Sequence, residues 1–168
     1  MNSRFDVDAL LNTLAEQLRP LVDPAATAMI GIFTGGVWVA RALHHRLGLV
    51  LPLGELDISF YRDDFSRIGL HPEVRASRLP FDVEDRDILL VDDVLYTGRT
   101  VRAALNEIFD YGRPRRIRLV VLVDRCSREL PIAADFSALQ LRLDSHHEIK
   151  LNGPEPLRLE VQARESGS

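Results

Sequence analysis

Two adjacent carboxylates, Asp92 and Asp93, follow the apolar run Ile88-Leu89-Leu90-Val91 and precede Val94-Leu95-Tyr96-Thr97-Gly98-Arg99-Thr100. Vicinal hydroxyls of a sugar are good donors to such a pair, because ionised carboxylates only accept. The Thr97 and Thr100 hydroxyls, the amides of a tight turn and the start of the helix beyond it suit a phosphate monoester. Gly98 supplies the positive φ or the close backbone approach that such a turn needs. A site that grips sugar hydroxyls and a terminal phosphate together takes a phosphorylated pentose. Two acids alone would have a plainer use as a turn cap, and Thr100 as a helix cap. The whole string asks for more than capping.

Two further segments carry comparable chemistry. Thr34-Gly35-Gly36 ends the apolar run Ala28–Phe33 and offers a hydroxyl and amides to an oxyanion. Val123-Asp124-Arg125 ends the run Ile117–Val123. Asp124 and Arg125 read equally as a loop ion pair or as part of a site, and their place at the end of a core strand favours the site. In open α/β sheets ligands bind outside the carboxyl ends of the strands, where all three segments fall.

The elements that must hold them are legible from periodicity. Residues 5–21 have Phe5, Leu10, Leu11, Leu14, Leu18 and Leu21 near helical spacing, with Asp6 or Asp8 as cap and Pro20 and Pro24 as the stop. Ala28–Phe33 predicts a strand, and Val37–Leu47 a helix stopped by Gly48. Gly54–Tyr61 alternates and predicts a half-buried strand. Ile88–Val91 predicts a buried strand, Asp92–Arg99 a turn and Thr100–Tyr111 a helix ending at Gly112. Ile117–Val123, Leu139–Leu143 and Leu157–Val161 predict three more strands. Alternating β and α units with nearly continuous apolar strands imply an α/β fold with a mostly parallel sheet covered on both faces.

The string Leu89–Thr100, continued by Val101-Arg102-Ala103, resembles the phosphoribosyl pyrophosphate (PRPP) signature of type I phosphoribosyltransferases in the form carried by the PyrR family. The segments Gly54–Ile58, Tyr61–Asp64, Gly112–Pro114, Val121–Arg125 and Arg128–Ile132 are similar to that family too. The resemblance implies the type I phosphoribosyltransferase fold over residues 1–168 as one domain. It has a small hood, a flexible loop at about 62–80 and a C-terminal extension at about 139–168. It implies a pyrimidine-responsive regulator that binds uridine nucleotides and leader mRNA and makes UMP and pyrophosphate from uracil and PRPP with Mg²⁺. The alternatives are a regulator without significant catalysis, or a transferase for another nucleobase.

Carried over position by position, the resemblance gives Asp92, Asp93 and Arg62 catalytic roles. PRPP or UMP falls to Asp92, Asp93, Tyr96, Thr97, Gly98, Arg99 and Thr100, pyrophosphate to Thr34, Gly35 and Gly36, and the base to Val123, Asp124 and Arg125. Arg62 reads equally as an exposed loop charge. Mg²⁺ arrives on PRPP, with no direct protein ligand. Leader RNA falls to Arg113, Arg115, Arg116 and Arg128, although a solvated basic edge explains such a run equally well. Purine-specific relatives carry an acid just before the Thr-Gly of the turn, where Tyr96 stands, which favours a pyrimidine. The family's pyrophosphate loop usually reads apolar, Lys, Thr, Arg, Gly; Phe33 and Gly35 replace both cations. The segment at Cys126-Ser127 departs from the family's Gly-His. A homo-oligomer, dimer or tetramer, is also implied.

Composition excludes several other classes. The chain has 168 residues, 46% hydrophobic and 27% charged, an ordinary globular balance. One cysteine, Cys126, rules out a disulfide framework or a Cys-rich zinc site. No apolar run reaches the ~20 residues of a membrane span, and no secretion signal is evident, so a cytoplasmic protein is expected. A net charge of −4 argues against indiscriminate nucleic-acid binding. Lys150 is the one lysine among 21 basic residues, and arginine is the better fork for phosphate, although genomic drift produces the same skew. His146 and His147 are adjacent and make a poor metal pair; Cys126 has no evident activating partner.

Overall fold

The structure, a computed structural model, describes residues 5–58 and 77–165. The expected lid residues Tyr61 and Arg62, and the expected loop up to residue 76, lie outside the described residues. Helix α1 (Val7–Leu18) starts at Asp6, whose carboxylate accepts the Ala9 amide at 3.0 Å, and passes into one 3₁₀ turn at Arg19–Leu21 where Pro20 intervenes. Its buried face is Val7, Leu11, Leu14, Ala15 and Leu18, the spacing of a single stripe. Strand β1 (Ala28–Ile32) is buried throughout and leads into α2 (Gly35–Leu47). Gly48 closes α2 at φ +62, its amide returning to the His44 and His45 carbonyls.

Strand β2 (Gly54–Leu56) is followed, after residue 76, by an isolated antiparallel bridge between Glu55 and Arg78. Then come β3 (Asp87–Leu95), α3 (Arg99–Tyr111), β4 (Arg116–Asp124) and β5 (Phe136–Gln140). The five strands form one parallel sheet in the order β2-β1-β3-β4-β5. Its two faces carry two cores. One joins α1 and α2 to Val91, Val120 and Leu122. The other sets Val101, Ala104 and Ile108 of α3 against Ile30, Ile88, Leu90 and Val121. A separate antiparallel hairpin, β6 (His147–Asn152) and β7 (Arg158–Ala163), closes onto the first core through Ile149, Leu151 and Leu159.

Three expectations need correction. The turn expected at Asp92–Arg99 is shorter, because β3 runs on through both acids to Leu95, held by pairing of Asp92 with Val121 and of Leu95 with Asp124 on β4. The strand expected at Leu139–Leu143 is Phe136–Gln140, so residues 139–140 belong to the main sheet and not to a C-terminal extension. Within the described residues, the strand expected over Gly54–Tyr61 ends at Leu56. Ile58 nonetheless keeps the inward phase, at 1% exposure.

Candidate functional site

Strand order reverses between β1 and β3, so a crevice opens beyond their carboxyl ends. The Thr34 loop enters it from β1, and Tyr96-Thr97-Gly98 from β3. Small residues bring the two together. A Cβ on Gly31 would meet Val37 Cα at 2.8 Å, and one on Gly36 would meet the Val91 carbonyl oxygen at 2.7 Å. The N-terminus of α2 is thereby pressed against the acid pair. Phe33-Thr34 is a cis peptide. Thr34 caps α2 without a side-chain hydrogen bond to the helix, so its hydroxyl is not spent on capping.

Asp92 is 6% exposed and Asp93 is half-buried. Each accepts the amide that follows it: Asp93 N donates to Asp92 Oδ1 at 2.9 Å and Val94 N to Asp93 Oδ1 at 2.8 Å. These bonds fix both carboxylates to strand backbone. The second oxygen of Asp93 faces the first turn of α2, 2.2 Å from where a Gly35 Cβ would be. A carboxylate at a helix N-terminus is favourably placed in the helix field.

The turn after β3 is strapped from outside. The Thr97 carbonyl accepts the Glu129 amide at 2.9 Å and the Leu130 amide at 3.3 Å. The Thr97 hydroxyl accepts the Arg99 amide at 3.2 Å, and the Arg99 guanidinium donates to the Glu129 carboxylate in an ion pair. Gly98 at φ +99 turns the chain into α3, whose first-turn amides have no helical acceptor. Thr100 lies in that first turn.

Beyond β4, Asp124 Oδ1 accepts the Cys126 amide at 2.8 Å, and Cys126 adopts φ +57. Leu95, Asp124, Cys126, Arg128, Ile132 and Ala133 line a cavity of about 220 Å³ beside the turn. Of the expected base residues Asp124 lines it, whereas Val123 is buried in the core and Arg125 turns elsewhere. Arg125 is 3% exposed, its Cζ 4.1 Å from the Tyr96 ring centroid and its Nη2 donating to the His147 carbonyl at 3.2 Å. Leu95, Cys126, Ile132 and Ala133 were not singled out in the sequence as lining residues. The apolar half of Leu130-Pro131-Ile132 was the available signal.

The expected RNA set divides between the two ends of the sheet. Arg113, Arg115 and Arg116 lie where β4 begins, and Arg128 lies past its other end, roughly 26 Å away along a strand rising about 3.3 Å per residue. Arg115 forks onto Asp87, with Nε to Oδ1 at 2.9 Å and Nη2 to Oδ2, and holds the Asp87 carboxyl below the usual carboxylate range. A second cavity, about 250 Å³, lies at that same end, lined in part by Thr27, Arg86, Asp87 and Arg115. His147 is tied to Asp144 through Nδ1 at 2.7 Å. Among the described residues no cluster of three His, Cys, Asp or Glu side chains could cage a metal ion, and no helix is long and apolar enough to cross a membrane.

Comparison with known proteins agrees with this geometry. The phosphoribosyl transferase domain family matches residues 6–153. The bifunctional protein PyrR of Nitrosococcus oceani is 55% identical over 163 residues, covering 94% of this chain and 92% of its own. That of Pseudomonas fluorescens is 53% identical over 157 residues, covering 92% and 94%. Among solved structures, a hypoxanthine phosphoribosyltransferase from Staphylococcus aureus superposes with a TM-score of 0.66 at 19% identity, covering 86% of this chain and 79% of its own. A purine phosphoribosyltransferase from Pyrococcus horikoshii gives 0.61 at 24% identity, covering 81% and 82%. At such identities the structural likeness speaks for the fold.

Proposed function

Since this chain belongs to the phosphoribosyl transferase domain family, and within it to the PyrR proteins, we propose that it joins uracil to PRPP, releasing UMP and pyrophosphate, and regulates pyrimidine genes through uridine nucleotides and leader RNA. The observation that carries this is the convergence, in one crevice, of a fixed acid pair with the Thr97-Gly98 turn and the N-terminus of α3. The acids take the ribose hydroxyls and offset positive charge at C1 as pyrophosphate departs. The turn amides and the Thr97 and Thr100 hydroxyls take the 5′-phosphate. Uracil N1 then attacks C1 from the opposite face, with inversion, and gives up its proton to the departing pyrophosphate or to water.

Uracil suits the site through Tyr96. A cavity of about 220 Å³ beside the turn has room for a nucleobase. Tyr96 offers no carboxylate to an imidazole nitrogen, and uracil needs none, because its reacting N1 adjoins the C2 carbonyl and is conjugated through C5=C6 to the C4 carbonyl, which makes it acidic already. Asp124, which lines the cavity, then serves the base through its backbone and carboxylate.

The departing pyrophosphate meets Thr34, Gly35 and the amides of α2, with Arg62 assigned to cover it. Lacking the two loop cations, transfer runs about 10² slower than a fully cationic loop allows, the size of effect seen when one charge-stabilising donor is lost. Mg²⁺ bound with PRPP neutralises pyrophosphate charge. Such an ion would be held mainly by substrate oxygens and water, in keeping with the reluctance of Mg²⁺ to dehydrate. A cytoplasmic location goes with substrates of this kind. A homo-oligomer fits the exposed Phe109 and Tyr111 on α3.

Incubation with labelled uracil, PRPP and Mg²⁺ yields labelled UMP. Background-level product from protein that still binds UMP tightly would remove the catalytic half. For the regulatory half, a pyrimidine-operon leader transcript binds more tightly when UMP is added. Equal affinity for unrelated RNA at physiological salt would count against it.

A further inference from the structure

Tyr96 is the first residue of the phosphate-binding turn, and two guanidinium groups lie over its ring: Arg125 Cζ at 4.1 Å and Arg164 Cζ at 5.3 Å from the centroid. They come from different places. Arg125 follows β4, and its amide donates to the Leu95 carbonyl at 3.0 Å, so it is bonded to the residue just before Tyr96. Arg164 follows β7, and its amide donates to the His146 carbonyl at 2.7 Å, at the open end of the hairpin. The Arg125 side chain closes the circuit by donating Nη2 to the His147 carbonyl.

Arg125 has unusual surroundings for an arginine. It is 3% exposed, yet no carboxylate is paired with it among the described residues, and its Nε has no hydrogen-bond partner. Burying a charge so poorly compensated is costly, and removing its few partners leaves the cost standing. The aromatic face supplies the main compensation, since a desolvated guanidinium over a ring is held more strongly than an exposed one. Tyr96 and Arg125 therefore hold each other, and the hairpin carbonyl holds both.

We propose that Arg125 is a positioning residue: buried under Tyr96 and bonded to His147, it locks the phosphate-binding turn to the C-terminal hairpin so that the two order together. Arg164 is the outer half of the same clamp. The consequence for binding rests on the phosphoribosyl site proposed above; the mechanical coupling does not.

Two measurements test it. In PRPP titrations of steady-state transfer, R125M raises KM about tenfold and R164A about threefold, the difference reflecting a desolvated against an exposed cation over a ring, while kcat stays within about threefold. R125K recovers part of the loss, because it keeps the charge but loses the planar guanidinium that stacks on Tyr96 and reaches the His147 carbonyl. In a Y96L background R164A has no further effect, as expected for residues acting as a unit. Wild-type KM in both R125M and R164A, or an undiminished R164A effect in Y96L, overturns the clamp. The second measurement is amide hydrogen exchange on ligand-free protein. R125M, or R164A if R125M does not fold, speeds exchange at 97–100 and 147–149 together. Acceleration at one segment alone, or at neither, also overturns it. A wild-type protein that binds no ribose phosphate would contradict the proposed function, and the exchange experiment would still decide the coupling.

Discussion

A Cβ on Gly35 would stand 2.2 Å from Asp93 Oδ2. The first turn of α2 and the second acid of β3 are thus in contact at the position where the PyrR-type loop usually carries arginine. Gly35→Arg therefore does not restore a helpful cation, because Asp93 must move to admit any side chain at all. We expect G35R to lower kcat/KM for PRPP at least tenfold. Phe33→Lys, one position before Thr34, raises kcat about tenfold by supplying positive charge to the leaving group. Steady-state kinetics of the two variants checks the contrast.

Gly98 opens α3 at φ +99, while its surroundings are roomy: a Cβ there would lie 3.4 Å from Ile132 Cβ and 3.5 Å from Leu130 Cβ. The cost of Gly98→Ala is then conformational and amounts to about 1–2 kcal/mol. Urea unfolding reads it as a lowered midpoint with an unchanged slope. UMP affinity falls as well, because the turn relaxes away from the geometry that aims its amides.

At the far end of the sheet, Arg115 hydrogen-bonds Asp87 and holds its carboxyl low, aided by the charges of Arg115, Arg116 and Arg118 and opposed by partial burial. A carboxyl depressed in the folded state adds stability above its unfolded pKa, and that stability is lost as pH falls through the folded value. Asp87→Asn should accordingly lower the melting temperature slightly at neutral pH, and the gap to wild type should close below about pH 4. A gap independent of pH down to 2 would contradict the pairing.

Because Arg113 and Arg116 lie at one end of β4 and Arg128 past the other, they report on different ligands. Replacing Arg113 and Arg116 together by alanine should weaken leader-RNA binding, reduce the dependence of log K on log salt by one to two units, and leave UMP affinity within twofold. Arg128→Ala should instead weaken UMP, since Arg128 lines the cavity beside the turn. Filter binding at several salt concentrations, with calorimetry for UMP, separates the two.

Where local pattern and tertiary packing agree, the elements were readable in advance. The α1 stripe, the Asp6 cap, the Gly48 stop and the apolar β1 and β4 all fall where periodicity puts them. Asp92 and Asp93 read as the start of a turn because acids rarely continue a strand. They continue it here because β4 pairs alongside and each carboxylate accepts its neighbour's amide. Strand β6 escaped notice although Ile149 and Leu151 alternate with exposed Lys150 and Asn152. Two polar residues, His147 and Glu148, open it and blur the period. The segments around the phosphate turn were legible as a motif. The buried path of Arg125 was not, because it depends on Tyr96 and on a hairpin far along the chain.

The most direct measurement is calorimetric titration of UMP into wild-type protein and into the double variant Asp92→Asn, Thr97→Ala. If the acid pair and the hydroxyl-bearing turn hold a phosphorylated ribose, wild type gives one saturable site and the variant binds at least a hundredfold more weakly, a loss in keeping with about two charge-assisted hydrogen bonds. Equal affinity in the two proteins would show that the ribose phosphate is held elsewhere, or not at all.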